Sequence, residues 1–450
     1  MTTTRQNGIT EGVIWKQLLI FFFPILIGSF FQQLYNTVDT IIVGQYVGKE
    51  ALAGVGSTGN IINLLVGFFI GLSSGASVII SQFFGGNDLR SLSKAIHTSL
   101  ALALSGGLVL MVVGLLTAHP ALELMGVPEE VMEDALTYIN VFYVGIISCL
   151  IYNVGTGLLR AIGDSRTPLY ILIVCCLVNI VLDLLFVVAF HWDVFGVALA
   201  TVLAQTISAV LVMLRLMLTQ EAYRVELKQI RFHASMLKSV IRIGLPTGFQ
   251  SVLYTISNLV IQAAINGFGT DSMASWTAVG KIDGFIWMIM GAFGISITTF
   301  AGQNFGAKRY DRVRRGTRVC LAMTAGAILV LSTAEIIFAG PILRIFTSDE
   351  AVVALGSSFV RVWAPAYIAY VFIEILSGAI RGVGEALKPM IITIFGVCIL
   401  RLIWIWGILP LHNTPNMVAA SYPVTWGITA VIFIIYYLRM NWLNRRIDRI

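Results

Sequence analysis

Two aspartates stand in stretches that are otherwise apolar, and their neighbours repeat at helical spacing. Gln32, Tyr35, Asn36 and Asp39 fall at i, i+3, i+4 and i+7 in FFQQLYNTVDTIIVG, which is one face of a helix. Asn179 and Asp183 are four apart in VNIVLDLLF and share a face of a second helix, and Thr201 in GVALATVLAQT belongs to a third. Two carboxylates, an amide and a hydroxyl make an oxygen-rich set able to hold a hard cation or a proton. The alternative is that each is a satisfied hydrogen bond between helices, which Thr201 alone would fit. In a membrane helix each ionisable group costs ~2.5 to 3.5 kcal/mol on insertion scales. No Lys or Arg falls inside the apolar stretches of the first half, so its carboxylates must find a cation or protonate. Depth supports convergence. Asp183 lies 15 residues beyond Pro168, or ~22 Å along a helix, while Asp39 and Thr201 lie ~13 Å and ~9 Å from the opposite end.

The elements that must position these residues are membrane helices. Of 450 residues, 57% are apolar and 12% charged, about half the charge of a soluble domain. A crossing needs ~20 apolar residues, so the chain can make twelve and keep its connectors. That excludes a cytosolic enzyme and a disordered scaffold. Apolar stretches predict helices near 16–44, 52–80, 94–118, 134–158, 168–190 and 195–217, then near 238–266, 273–301, 317–340, 353–380, 388–411 and 417–439. Between the sets runs TQEAYRVELKQIRFHASM, the longest polar run. The expected organisation is an all-α membrane protein with an N-terminal lobe (1–218), a cytoplasmic linker (219–236) and a C-terminal lobe (237–450). The five cysteines all lie in apolar stretches and suggest no disulfide framework. The polar N-terminus runs into the first apolar stretch without a cleavage site and reads as a retained helix.

Once alternate connectors are assigned to opposite sides, 24 of the 29 Lys and Arg fall on the side of both termini. That side is expected to be cytoplasmic. The net charge of +6 therefore reads as topogenic, with no patch left for nucleic acid.

The two halves echo each other. SQFFGGNDLR at Ser81 matches GQNFGAKRYD at Gly302, and LLRAIGDSRTP at Leu158 matches AIRGVGEALKP at Ala379, both 221 residues on. An even number of crossings per half places the pseudo-two-fold axis along the membrane normal, with a central cleft expected between the lobes. No Walker loop, HExxH or GxSxG occurs, which leaves no catalytic constellation and no nucleotide-driven step. The energy source is then an ion gradient. The second half is different. Lys281 and Asp283 (helix 8), Arg361 and Glu374 (helix 10) and Arg401 (helix 11) suggest partly compensated ion pairs or a substrate-selecting charge network, with excess positive charge attracting anions. Glu335 is expected at the outer interface, because helix 9 ends soon after it.

On PILIGSFFQQLYNTVDTIIVG, LLRAIGDSRTP, VNIVLDLLF, GVALATVLAQT and the echo AIRGVGEALKP, the chain resembles the multidrug and toxic compound extrusion (MATE) transporters of the DinF-like branch. The resemblance implies that Asp39 is the coupling carboxylate and that Asn179, Asp183 and Thr201 complete a cation or proton site. It also implies a surrounding polar network of Gln32, Tyr35, Tyr138, Asn153 and Thr156, and a helix 1 bend at Pro24. The acidic second-lobe site of the NorM-like branch is missing from its expected place.

The expectation is an inner-membrane antiporter of a bacterium or archaeon, monomeric, without cofactor or nucleotide. It would export amphiphilic small molecules against Na⁺ or H⁺, with the number of hard oxygens favouring Na⁺. The runner-up is a flippase or exporter of a lipid-linked or anionic amphiphile. A channel or membrane-embedded enzyme comes third.

Overall fold

The computed structural model describes residues 9–439 and 442–443, and every regular element among them is helical. Arg5, Arg445, Arg446 and Arg449, which carry part of the orientation argument, lie outside the described residues, as do the extreme ends of the two expected lobes. In chain order the helices are α1 (Ile14–Val47), α2 (Lys49–Gly85), α3 (Leu89–Leu124), α4 (Glu129–Ala161), α5 (Arg166–Ala189), α6 (Asp193–Leu218), α7 (Ala234–Asn266), α8 (Thr270–Gly306), α9 (Tyr310–Leu343), α10 (Glu350–Gly382), α11 (Leu387–Leu411) and α12 (Pro415–Arg439). Eleven are long and apolar enough to cross a membrane. The other, α7, has 33 residues but is diluted by Thr247, Gln250, Ser251, Tyr254, Thr255, Ser257 and Asn258.

The internal repeat is written in the backbone as well as in the side chains. Gly48 (φ +127°) separates α1 from α2 and Gly269 (φ +94°) separates α7 from α8, both in a region that glycine enters without a Cβ penalty. Asn87 and Lys308 take φ of 55° and 58° before α3 and α9, and Gly163 and Gly384 take 94° and 91° before α5 and α11. Members of each pair are 221 residues apart. Pro120 in α3 and Pro341 in α9 keep the same spacing.

The chain forms two compact units. One is Phe23–Gly248, and the other is Met1–Phe22 together with Phe249–Ile450. The division falls inside α1 and α7, beside Pro24 and Pro246, not in the polar segment 219–236. A proline lacks the amide that would close the helical ladder, so each helix has a break at which its two parts can serve different cores.

Within Phe23–Gly248, the first part of α7 crosses α2 on bare backbone. A Cβ on Gly75 would lie 2.4 Å from the Gly244 nitrogen, and one on Gly71 would lie 2.5 Å from Gly248 Cα. Small residues permit such crossings between membrane helices. The 219–233 segment is held on α3, where Glu226 N–H donates to His97 Nε2 at 3.1 Å and His233 N–H donates to Thr98 Oγ1 at 3.2 Å. Within the other unit, Phe22 stacks on Phe293 with centroids 4.0 Å apart. Arg309 and Arg312 at the start of α9 hold the Ile9–Gly12 backbone, Arg312 Nη1 reaching Gly12 O at 2.8 Å. An aromatic cluster that includes Trp287, Trp363, Tyr367, Tyr370, Tyr422 and Trp426 fills the core of this unit.

Candidate ion site

Three helices of the Phe23–Gly248 unit deliver the acidic site. Asp39 lies one turn before the π-helical segment Val43–Val47, and Asp183 directly precedes the π-helical segment Leu184–Ala189. Such segments displace side chains from regular register and recur at functional sites. Thr201 Oγ1 of α6 donates to Asp39 Oδ2 at 3.4 Å and to Val197 O at 3.1 Å. A hydroxyl has one proton, so it satisfies Asp39 only in part. Asp183 and Asn179 face Asp39 from α5. Tyr138 of α4 faces Asp39, Asp183 and Thr201, and Tyr35 faces Asp39 and Tyr138. Asp183 is 0% exposed and Asn179 1%. Asp39 Oδ1, both oxygens of Asp183 and both amide atoms of Asn179 have no hydrogen-bond partner. No Lys, Arg or His of the described residues pairs with either carboxylate. Facing carboxylates without a cationic side chain must share a proton or hold a cation. The residues present fit both.

The structure thus brings together Asp39, Asn179, Asp183, Thr201, Tyr138 and Tyr35. It does not bring Asn153 and Thr156 to them, since Asn153 Nδ2 donates to Cys149 O at 2.8 Å and Thr156 Oγ1 to Asn153 O at 3.1 Å on their own helix. Gln32 and Asn36 have exposed side chains. Two neighbours went unforeseen: Cys149 and Cys175 lie beside Tyr35. A thiol in an apolar stretch carries no positional signal in the sequence.

The second-half charges do not form the expected ion pairs. Lys281 and Arg361 are exposed, and Asp283 accepts a hydrogen bond from the Tyr367 hydroxyl. Glu374 packs behind Gly294. Arg401 is 0% exposed, yet it meets no carboxylate. Its Nη1 donates to Asn258 Oδ1 at 3.2 Å, and its guanidinium lies over Tyr422, 4.2 Å from the ring centroid. Nε and Nη2 have no acceptor. Here too π-helical segments flank the charge, Ile394–Ile399 before it and Trp404–Ile408 after it. Glu335 is not at an interface. It is 4% exposed and points at Asp283.

Fold and site together define a multi-pass membrane protein of two repeated halves with a buried acid pair in the first. The chain belongs to the MatE family, the multidrug and toxic compound extrusion transporters, whose profile matches residues 24–185 and again 246–406. It is 26% identical, over the full length of both chains, to the probable multidrug resistance protein YoeA of Bacillus subtilis. It is 24% identical to a protein of Shewanella oneidensis named FAD transporter, over 88% of each chain. Among solved structures it superposes on a MOP superfamily transporter from Pyrococcus furiosus, described as having a reverse polarity of binding pocket that suggests different function. The TM-score is 0.91 at 23% identity, covering 99% of this chain and 100% of that one. An outward-facing MATE transporter structure superposes with a TM-score of 0.90. These likenesses concern the fold.

Proposed function

We propose that the protein is an ion-coupled antiporter of the cytoplasmic membrane, both termini cytoplasmic, exporting amphiphilic small molecules in exchange for one cation, Na⁺ or H⁺, bound between Asp39 and Asp183. The observation that carries this reading is the buried acid pair without a cationic partner. Membrane-buried acids are costly to insert and mark ion pathways, and relatives named as multidrug resistance proteins supply the transported class. The test is dye export from proteoliposomes under separately imposed Na⁺ and pH gradients. Either gradient should drive the wild type, and a folded Asp39→Asn protein should respond to neither. Wild-type export by Asp39→Asn would overturn the assignment.

Arg401 favours a second reading for substrate charge. A buried guanidinium with two N–H groups unmet suits an anionic group on the cargo, in line with the name of the FAD-transporting relative. On this reading a matched anionic dye outcompetes a cationic one, and the preference disappears in Arg401→Met.

A further inference from the structure

The acid pair in Phe23–Gly248 has a counterpart in the other unit that the repeat does not explain. Asp283 on α8 and Glu335 on α9 face one another. Glu335 is 4% exposed, and neither of its oxygens meets a donor. From α10, the Tyr367 hydroxyl donates to Asp283, and the Trp363 indole sits beside the same carboxylate. From α12, Tyr422 stands between the pair and Arg401 of α11, which lies over its ring. No Lys, Arg or His of the described residues comes within ion-pair distance of either acid. The positions 221 residues earlier are Ile62 and Gly114, and those equivalent to Asp39 and Asp183 are Ile261 and Trp404. The two pairs therefore arose at different places in the repeat, so the second is not a relic of duplication.

Unmatched acids inside a membrane helix bundle are costly, and two carboxylates in contact cannot both stay ionised in apolar surroundings. The donor set decides between a metal ion and a proton. The contacts on Asp283, a hydroxyl and an indole N–H, both donate, which leaves few free oxygens for a metal ion that needs about six. One proton between the two carboxyl groups satisfies Glu335 directly.

We propose that Asp283 and Glu335 form a second proton-binding site, separate from Asp39, in the Met1–Phe22/Phe249–Ile450 unit. The protein then carries one titrating acid pair in each unit, and the second can fill or empty without the first. The site stands whether or not Asp39 couples transport.

The test reads protons rather than transport. In purified protein carrying Asp39→Asn and Asp183→Asn, infrared spectroscopy in H₂O and D₂O follows the carbonyl stretch of protonated carboxyl groups near neutral pH. A deuterium-sensitive band should persist in that background, disappear on adding Glu335→Gln with Asp283→Asn, and survive Glu374→Gln. Tyr367→Phe, which removes only the donor to Asp283, should shift the band without abolishing it, so the result does not depend on the double variant folding. Absence of the band in the Asp39→Asn/Asp183→Asn protein, its indifference to substitution at 283 and 335, or its loss on adding Na⁺ at constant pH would each overturn the assignment. Loss of coupling at Asp39 with the band intact, or the reverse, separates this site from the first.

Discussion

Placing a methyl group on Gly75 should push α2 and α7 apart. Its Cβ would meet the Gly244 nitrogen at 2.4 Å, Val240 O at 2.5 Å and Gly244 Cα at 2.6 Å. All three are backbone atoms, so no change of side-chain rotamer relieves the contact. Ordinary carbon contacts begin near ~3.5 Å, and the helices must separate by about 1 Å at that level. A gap of that size forfeits a quarter to a half of the local dispersion, and overpacking costs about 1–3 kcal/mol. Helix propensity acts the other way, with Ala favoured over Gly by ~1 kcal/mol. Gly59 on the same helix supplies the control, because a Cβ there meets nothing within 4 Å. The difference between Gly75→Ala and Gly59→Ala isolates the clash. At about 2–4 °C per kcal/mol for units of this size, Gly75→Ala should melt roughly 2–10 °C below Gly59→Ala. A thiol-reactive fluorescent dye reports the melt, since all five cysteines are buried until the fold opens. A Gly75→Ala protein that melts at or above Gly59→Ala would refute the bare-backbone crossing.

Asp39→Asn and Asp183→Asn should be strongly non-additive in ion-driven transport, because residues sharing one ligand couple; losses that simply multiply would indicate separate roles. Arg401→Met should melt at or above the wild type, since an apolar side chain of similar length removes an uncompensated buried charge, whereas clear destabilisation in the same thiol assay would show that its bonds to Asn258 and the Tyr422 ring outweigh desolvation. Asp88 caps α3 from the connector, accepting from Ser91 N at 3.1 Å, and hydrogen bonding by Ser91 holds its carboxyl below the usual value. A lowered folded value means that the contribution is present above the free-chain value near ~3.9 and fades as pH falls through the folded one. Asp88→Ala should therefore cost about 1 kcal/mol at neutral pH and less near pH 3, and an equal difference at both would refute the charged cap.

The sequence makes the helices, their repeat and the first acid pair legible, because hydropathy and i, i+4 spacing are one-dimensional signals. Asp39, Asn179, Asp183 and Thr201 converge as depth along each helix predicts. Depth says nothing about azimuth, and this is where the errors lie. Glu335 is near the end of α9 yet faces inward toward Asp283. Asn153 and Thr156 bond to their own helix, as polar side chains in helices do when no partner competes. The charges of the second half suggested ion pairs by number alone, but Arg401 chose an aromatic face and an amide. The unit boundary inside α1 and α7 was hidden because Pro24 and Pro246 leave hydropathy unbroken.

That boundary makes α1 a shared rod. Ile14–Phe22 belongs to one unit and the stretch bearing Asp39 to the other, with Asp39 about 25 Å further along the axis than Phe22. One end is clamped twice, by Phe22 on Phe293 and by Arg309 and Arg312 on Ile9–Gly12. The other end carries the charge that changes. A helix resists compression along its length, so whatever strain ion release creates at Asp39 is delivered to the first weak joint in the rod, the missing hydrogen bond at Pro24. The machine thus needs no messenger loop between ion and far unit: a single lever, pivoted at a proline, has its load arm and its anchor in different bodies.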